Sequence, residues 1–524
     1  MSYDLSHIFY PDTIAVVGVS TSNIHNPGSI IFQQNLHIKG FHSNKLFGVN
    51  PKGGTVEGHE LYKNVYDIPK KIDLGVLCIR AKHTVQALKN LIDIGIKGAV
   101  VISGGFSEAG RAGITYQENL AEIAREHDLP LIGPNCIGVF NPGHVNTNII
   151  PKERFVVPKS NGNVSIVSQS GGIMADQWFC KFFDREIAIS KAISLGNKAV
   201  IDEVHMLEYF LEQDPNTDVI GFYLEGFAKN RGREFLLKSR LSNKTIIMMK
   251  GGKSQQGKRA ASSHTAAIGS NDKILEGALK QFSIINCNTE QEMISYSKAF
   301  SLLTGKNKPF ISGDFNGKVT IITVSGGHGV LASDFSSKYN LKLINFNNEE
   351  RKLLLDSLDS RLKNIASVNN PIDLTGSCTD DDIINLITTL SKLDKVGLIL
   401  LLILPYPPGL TMSLGSRIAS IVRIFRKPVI TYLPLLARYE MITDSLDEAH
   451  IPVGNSIEEA LLMANAVFLK SQAMSRAKYN KVIGTDDVLI EDYNQFTEVL
   501  REINKQMDKK KKNLLRSPNK YDIG

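Results

Sequence analysis

Val164-Ser165-Ile166-Val167-Ser168-Gln169-Ser170-Gly171-Gly172-Ile173 reads as a short buried strand running through a tight turn into a helix. The apolar run is β-branched and too short for a helix. Small hydroxyl and glycine residues follow at the point where a helix opens with free N–H groups. Val319-Thr320-Ile321-Ile322-Thr323-Val324-Ser325-Gly326-Gly327-His328 has the same form. Two such units predict two copies of one flavodoxin-like module; chance similarity of strand-to-helix turns is the alternative.

The pattern continues in both directions. Further apolar strands are predicted at 13–19, 46–49, 74–79, 99–102, 131–132, 219–224, 246–249, 284–286, 398–404 and 429–433, with amphipathic stretches between them. Continuous apolar strands alternating with helices predict parallel sheets covered on both faces, so the chain is α/β. At roughly 100–200 residues per domain, 524 residues suggest about three domains. Breaks near Asn141-Pro142-Gly143 and Thr304-Gly305-Lys306 give expected blocks of 1–150, 151–305 and 306–472. Residues 473–524 are expected to hold an acidic segment, a helix at 493–507 and a basic tail.

Composition narrows the function. Hydrophobic residues make up 42% and charged residues 22%, ordinary for a globular protein. Net charge is +7, and residues 501–524 carry eight Lys/Arg against three acids, which supplies +5 of it. The near-neutral body argues against a nucleic-acid groove. Five scattered cysteines, Cys78, Cys136, Cys180, Cys287 and Cys378, lack zinc-site spacing and fit a reducing compartment. The opening residues have no signal-peptide pattern, and the longest apolar run, 396–404, is far short of the roughly 20 residues needed to span a bilayer. A cytoplasmic protein with no membrane contact and no bound metal is expected.

The first strand ends at Gly18-Val19-Ser20-Thr21-Ser22, where a glycine lets a phosphate approach the backbone. The second ends at Val49-Asn50-Pro51-Lys52, with no acid to grip the ribose hydroxyls of NAD. A lysine there suits the phosphorylated nucleotide of CoA; tight turns alone also account for the glycines. Ser103-Gly104-Gly105 and Gly133-Pro134-Asn135-Cys136 add two more small, polar strand-end loops. Nothing near Cys136 in sequence would activate it, so it reads as a buried or phosphate-adjacent thiol. Ser168, Gln169, Ser170, Gly171 and Gly172 form a candidate phosphate seat. Glu225 closes an apolar strand and precedes Gly226. His264 lies among small residues, Ser262-Ser263-His264-Thr265, after a basic loop with Lys253, Lys258 and Arg259. A neutral imidazole there is a competent nucleophile toward phosphorus, and a nearby carboxylate would fix its tautomer; a merely solvated loop histidine is the alternative.

In order, Val17-Gly18-Val19-Ser20, Val49-Asn50-Pro51-Lys52, Gly133-Pro134-Asn135-Cys136, Ser168-Gln169-Ser170-Gly171-Gly172, Ser194-Leu195-Gly196-Asn197, Leu224-Glu225-Gly226 and Ser262-Ser263-His264-Thr265 resemble the α subunit of ADP-forming acetate–CoA ligase, a relative of the succinyl-CoA synthetase α subunit. Val324-Ser325-Gly326-Gly327-His328 and Asn370-Pro371-Ile372-Asp373 resemble the family's third module. The resemblance implies a Rossmann-like CoA-binding domain followed by two CoA-ligase domains. It implies that acyl-CoA, phosphate and ADP are interconverted with acid, CoA and ATP through acyl phosphate and phosphohistidine. By resemblance His264 carries the phosphoryl group, Glu225 supports it, and residues 168–172 seat phosphate. Gly18, Val19, Ser20, Thr21, Ser22, Val49, Asn50, Pro51, Lys52, Ser103, Gly104, Gly105 and Asn135 would hold CoA. Cys78-Ile79-Arg80-Ala81 departs from a proline-containing turn common in the family, and the basic C-terminal extension lies outside its core. No nucleotide-grasp domain is found, so Mg²⁺ with ADP or ATP is expected on a separate β subunit, giving a hetero-oligomer. The competing readings are a CoA or acyl-CoA sensor or scaffold without ligase activity, and an NAD-dependent oxidoreductase.

Overall fold

The computed structural model describes residues 3–38, 45–156, 159–240, 242–259, 272–305, 311, 315–434 and 436–482. The expected helix at 493–507 and the basic tail lie outside the described residues.

The first strands are β1 (Ile14–Val17) and β2 (Leu46–Val49), followed by a small hairpin of β3 (Thr55–Val56) and β4 (His59–Glu60). Next come β5 (Leu74–Leu77), β6 (Gly98–Val101) and β7 (Leu131–Ile132). They form a parallel sheet in the order β2-β1-β5-β6-β7. A hairpin of β8 (Val139–Asn141) and β9 (Val145–Asn146) then joins the edge of the second sheet, where β8 pairs antiparallel with β11.

The second sheet holds β10 (Val164–Ser168), β11 (Ile189–Ser194), β12 (Val219–Leu224), β13 (Thr245–Lys250) and β14 (Ile285–Cys287), ordered β14-β13-β12-β10-β11-β8-β9. The third holds β15 (Lys318–Thr323), β16 (Lys342–Leu343), β17 (Ile372–Asp373), β18 (Leu398–Leu402), β19 (Val429–Tyr432) and β20 (Val453–Gly454), ordered β16-β15-β18-β19-β20, with β17 on β15. Leaving aside hairpins and the short β17, each sheet runs second-first-third-fourth-fifth, the flavodoxin-like order. The paired Ser-Gly-Gly turns hold equivalent places in the second and third sheets. Both leave the first strand of their sheet, and both use the same local bond: Ser168 Oγ donates to the Ser170 carbonyl at 2.6 Å, and Thr323 Oγ1 to the Ser325 carbonyl at 3.0 Å.

All five residues of β10 are buried, as are all five of β18. Helices cover both faces, which is why these strands are continuously apolar rather than alternating. The apolar core runs between modules. One cluster joins Leu131 and Ile132 of the first sheet to Val167, Ile193 and Leu207. A second joins Ile166, Met293 and Tyr296 to Leu398, Leu400 and Leu461. The helix Ile457–Val482 packs across that second junction and continues through residue 472. No helix of the described residues is long and apolar enough to cross a membrane.

Candidate functional site

In an open sheet of this order, ligands sit beyond the strand ends where the order reverses, beside the first strand. In the first sheet that place is between β1 and β5. Gly18 follows β1 with φ +103°, and a Cβ on it would lie 2.5 Å from the Cys78 carbonyl oxygen. Only glycine lets the chain turn here without strain. The turn leads to the helix Pro27–Leu36, where Pro27 takes the first position and Asn26 Oδ1 accepts the Gly28 N–H at 2.9 Å.

The loops at 18–22 and 49–52 hold one another. The Gly18 N–H donates to the Val49 carbonyl at 3.0 Å, and Asn50 Nδ2 donates to the Val19 carbonyl at 2.7 Å. Ser20 N–H donates to Ser29 Oγ, whose own hydroxyl returns to the Ser20 carbonyl. Thr21, Ser22, Pro51 and Lys52 are exposed on these loops. A cleft of about 450 Å³ opens beside them, lined by Gly18, Val49, Pro51, Ile79 and by Lys63, His83, Gln86 and Asn90. The last four were missed in the sequence because no motif marks them. They come from the segment after the small hairpin and from the helix Ala81–Asp93. The lining combines the backbone turn at Gly18 with amide, imidazole and ammonium side chains, which suits a phosphorylated nucleotide such as that of CoA.

Ser103, Gly104, Gly105 and Asn135 lie at the ends of β6 and β7, further along the same edge. The Asn135 N–H donates to the Ser103 carbonyl at 3.0 Å. Glu108 Oε1 accepts the N–H groups of Gly105 at 2.6 Å and Phe106 at 3.1 Å, which fixes the curve of that loop. Burial acts to raise the Glu108 carboxyl, but the Asn197 amide and these N–H groups outweigh it and hold it below the ordinary range. Cys136 is buried, and burial pushes its thiol up to about 12. A buried thiol held above its ordinary range disfavours the thiolate that nucleophilic attack needs.

The second site lies beyond β10 and β12. Ser168 is fully buried, whereas Gly172 is exposed where the helix opens. A Cβ on Gly171 would lie 2.5 Å from Ile137 Cγ2, so the chain approaches its neighbour closely here. The helix continues as a π-helical segment, Ile173–Phe179, a form often associated with functional sites. The Gln169 N–H donates to the Tyr223 carbonyl at 2.9 Å, and its side-chain Oε1 accepts the Glu225 N–H at 2.9 Å. The loop at 168–172 and Glu225 are thus immediate neighbours. Burial first, and then the Glu225 charge, push the Tyr223 phenol up to about 12. Burial lowers the Lys250 ammonium, with Asp272 and Glu225 opposing it.

His264 lies outside the described residues, as does all of 260–271. The chain on either side is placed. Lys250, the last residue of β13, pairs in register with Leu224, next to Glu225. Lys258 and Asp272, flanking the stretch that carries His264, meet at 2.6 Å.

Comparison with known proteins identifies two of the domains. Residues 12–142 match the CoA binding domain, and 161–300 match the succinyl-CoA ligase like flavodoxin domain. The α subunit of the ADP-forming acetate–CoA ligase II of Pyrococcus furiosus is 32% identical over 469 residues, covering 88% of this chain and 97% of that one. The ADP-forming acetate–CoA ligase of Methanocaldococcus jannaschii is 35% identical over 380 residues, but the match spans only 50% of that longer protein. The dinucleotide forming acetyl-coenzyme A synthetase 1 of Ca. Korarchaeum cryptofilum, solved with phosphate and ADP, superposes with a TM-score of 0.77 at 28% identity, covering 91% of this chain and 99% of that one. With the strand-end sites in these positions and relatives of this extent, the chain belongs to the α-subunit family of the ADP-forming acetate–CoA ligases, related to the succinyl-CoA ligase α subunit.

Proposed function

We propose that this chain is the CoA- and phosphohistidine-carrying subunit of a nucleoside-diphosphate-forming acyl-CoA synthetase. The observation that supports it most is the bond from the Glu225 N–H to the Gln169 side chain, which ties the helix-opening loop at 168–172 to the turn that carries Glu225. Acyl-CoA enters along the cleft at Gly18, Val49 and Pro51, with Lys52 at its rim and the loop at 103–105 and Asn135 guiding its thiol arm toward β10. A phosphate oxygen held at Ser170–Gly172 attacks the thioester carbonyl carbon. The C–S bond breaks, and CoA leaves as the thiol after taking a proton. An imidazole nitrogen of His264 then attacks phosphorus, the bond from phosphorus to the acyl oxygen breaks, and the carboxylic acid leaves. Glu225 orients the imidazole and balances its positive charge. Free N–H groups and the helix dipole at 170–172 stabilise the phosphoryl oxygens.

The second half, transfer from His264 to ADP with Mg²⁺, is assigned to a separate nucleotide-grasp β subunit. Acetate is the simplest acid consistent with the relatives' names. The test uses acetyl phosphate labelled in phosphorus. Wild type is expected to gain an acid-labile, alkali-stable label that His264→Ala lacks; an unlabelled wild type overturns the reading. The chain alone, given acetyl-CoA, phosphate, Mg²⁺ and ADP, is expected to make no ATP, and clear ATP formation removes the need for a partner.

A further inference from the structure

The motif Ser194-Leu195-Gly196-Asn197-Lys198 belongs to no step described so far, yet it is the strap between the two half-sites. On one side the Leu195 N–H donates to the Ser168 carbonyl at 2.8 Å, and Lys198 Nζ donates to the Gly226 carbonyl at 2.7 Å and pairs with the buried Glu203 at 3.0 Å. The strap therefore touches both the phosphate seat and the turn that carries Glu225. On the other side Asn197 reaches the first module. Its Nδ2 donates to Glu108 Oε2 at 2.6 Å, to Gln117 Oε1 at 2.9 Å and to Ser107 Oγ at 3.2 Å, and its Oδ1 accepts Asn135 Nδ2 at 3.3 Å.

Gly196 makes this crossing possible. Its φ is +57°, and a Cβ on it would collide with the Pro134 and Asn135 carbonyls. The Asn197 N–H donates to the Pro134 carbonyl at 2.9 Å. Glu108 is the other pivot, since its second oxygen shapes the loop at 105–106. Asn197 is the side chain that links the CoA-side loop, through Glu108, to a backbone segment anchored on Ser168.

We propose that Asn197 is a positioning residue that sets the gap between the thioester end of CoA and the phosphate at 168–172. This rests on the reaction proposed above. Two reactions separate its role from simple support. Acetyl phosphate can phosphorylate the protein using the second module's seat alone, whereas acetyl-CoA plus phosphate needs both half-sites in line. A misplacement near 1 Å costs on the order of 100-fold in such a reaction.

Asn197→Ala is therefore expected to keep labelling from acetyl phosphate within about twofold while losing about 100-fold of the labelling from saturating acetyl-CoA and labelled phosphate. Asn197→Asp, which sets a second carboxylate against Glu108, is expected to behave alike. Equal loss with both donors means a structural role and overturns the inference, as does full retention with both. No labelling of wild type by either donor overturns the reaction itself, and so is told apart from failure of the strap.

Discussion

The side-chain oxygen of Gln169 accepts the Glu225 N–H at 2.9 Å and the Gly226 N–H at 3.4 Å, joining the start of the proposed phosphate seat to the turn after β12. Replacing Gln169 with alanine leaves these N–H groups without their partner. Each such loss costs about 1–3 kcal/mol when buried. The rate of labelling from acetyl phosphate is expected to fall roughly ten- to a hundredfold in Gln169→Ala, with little change in far-ultraviolet circular dichroism. An unchanged rate would show that the Glu225 turn holds its place unaided.

Trp178 is the chain's one tryptophan. It is fully buried on the π-helical segment that begins directly after the proposed phosphate seat. Titration with inorganic phosphate is expected to shift its emission in a saturable way. Gly171→Val, whose side chain would drive into Ile137, is expected to lose the response. A flat titration of wild type would place phosphate elsewhere.

Gly18→Ala forces a side chain into a left-handed turn and against the Cys78 carbonyl. Backbone strain of this kind costs about 1–3 kcal/mol. The melting temperature is expected to fall, and the stabilisation that CoA gives wild type to vanish. A CoA-induced shift equal to that of wild type would remove the cleft at β1 and β5 from the proposed reaction.

Asp202 caps the helix Glu203–Glu212 through the N–H groups of Val204 and His205, and it accepts Arg231 Nε at 2.9 Å. Burial acts to raise its carboxyl, but His205 and Arg231 outweigh it and hold it well below the ordinary range. A depressed acid stabilises the fold above its unfolded value, near ~4, and loses that contribution as pH falls through the lower folded value. Asp202→Ala is expected to cost about 3–5 kcal/mol at pH 7 by urea unfolding. The gap from wild type should close only below about pH 4; a gap that closes between pH 5 and 7 would contradict this account.

Of the five cysteines, Cys180 is exposed and the other four are buried. Burial pushes Cys378, like Cys136, up to about 12. A thiol reagent should therefore titrate one fast group in the native chain, and Cys180→Ser should abolish it. Two fast groups would mean that one buried thiol is open to solvent.

Long apolar runs make the sheets legible in the sequence. Strands 164–167, 319–324 and 398–404 stand out because residues buried on both faces must be apolar throughout. The two-residue strands β16, β17 and β20 and the hairpin β8–β9 escaped, since two or three residues carry no periodicity. At the proposed site, the strand-end glycines are legible because a loop that lets a phosphate approach its backbone must be small, and Glu225 because a charge at the end of an apolar strand stands out. Lys63, His83 and Asn90 are not, because they reach the cleft from segments whose composition says nothing. Asn197 is visible in the sequence only as part of a motif. Its partners, Ser107, Glu108 and Gln117, lie 80–90 positions earlier in the chain, and no local pattern announces a contact at such range.

The apolar clusters that run from the first sheet into the second, and from the second into the third, carry a consequence for how this protein can be handled. A fragment cut at any junction would bare the flank of a neighbour: Leu131 and Ile132 on one piece, Met293 and Tyr296 on another. Such pieces should clump rather than fold, and the intact chain should melt in one cooperative step, like a wall whose bricks share their mortar.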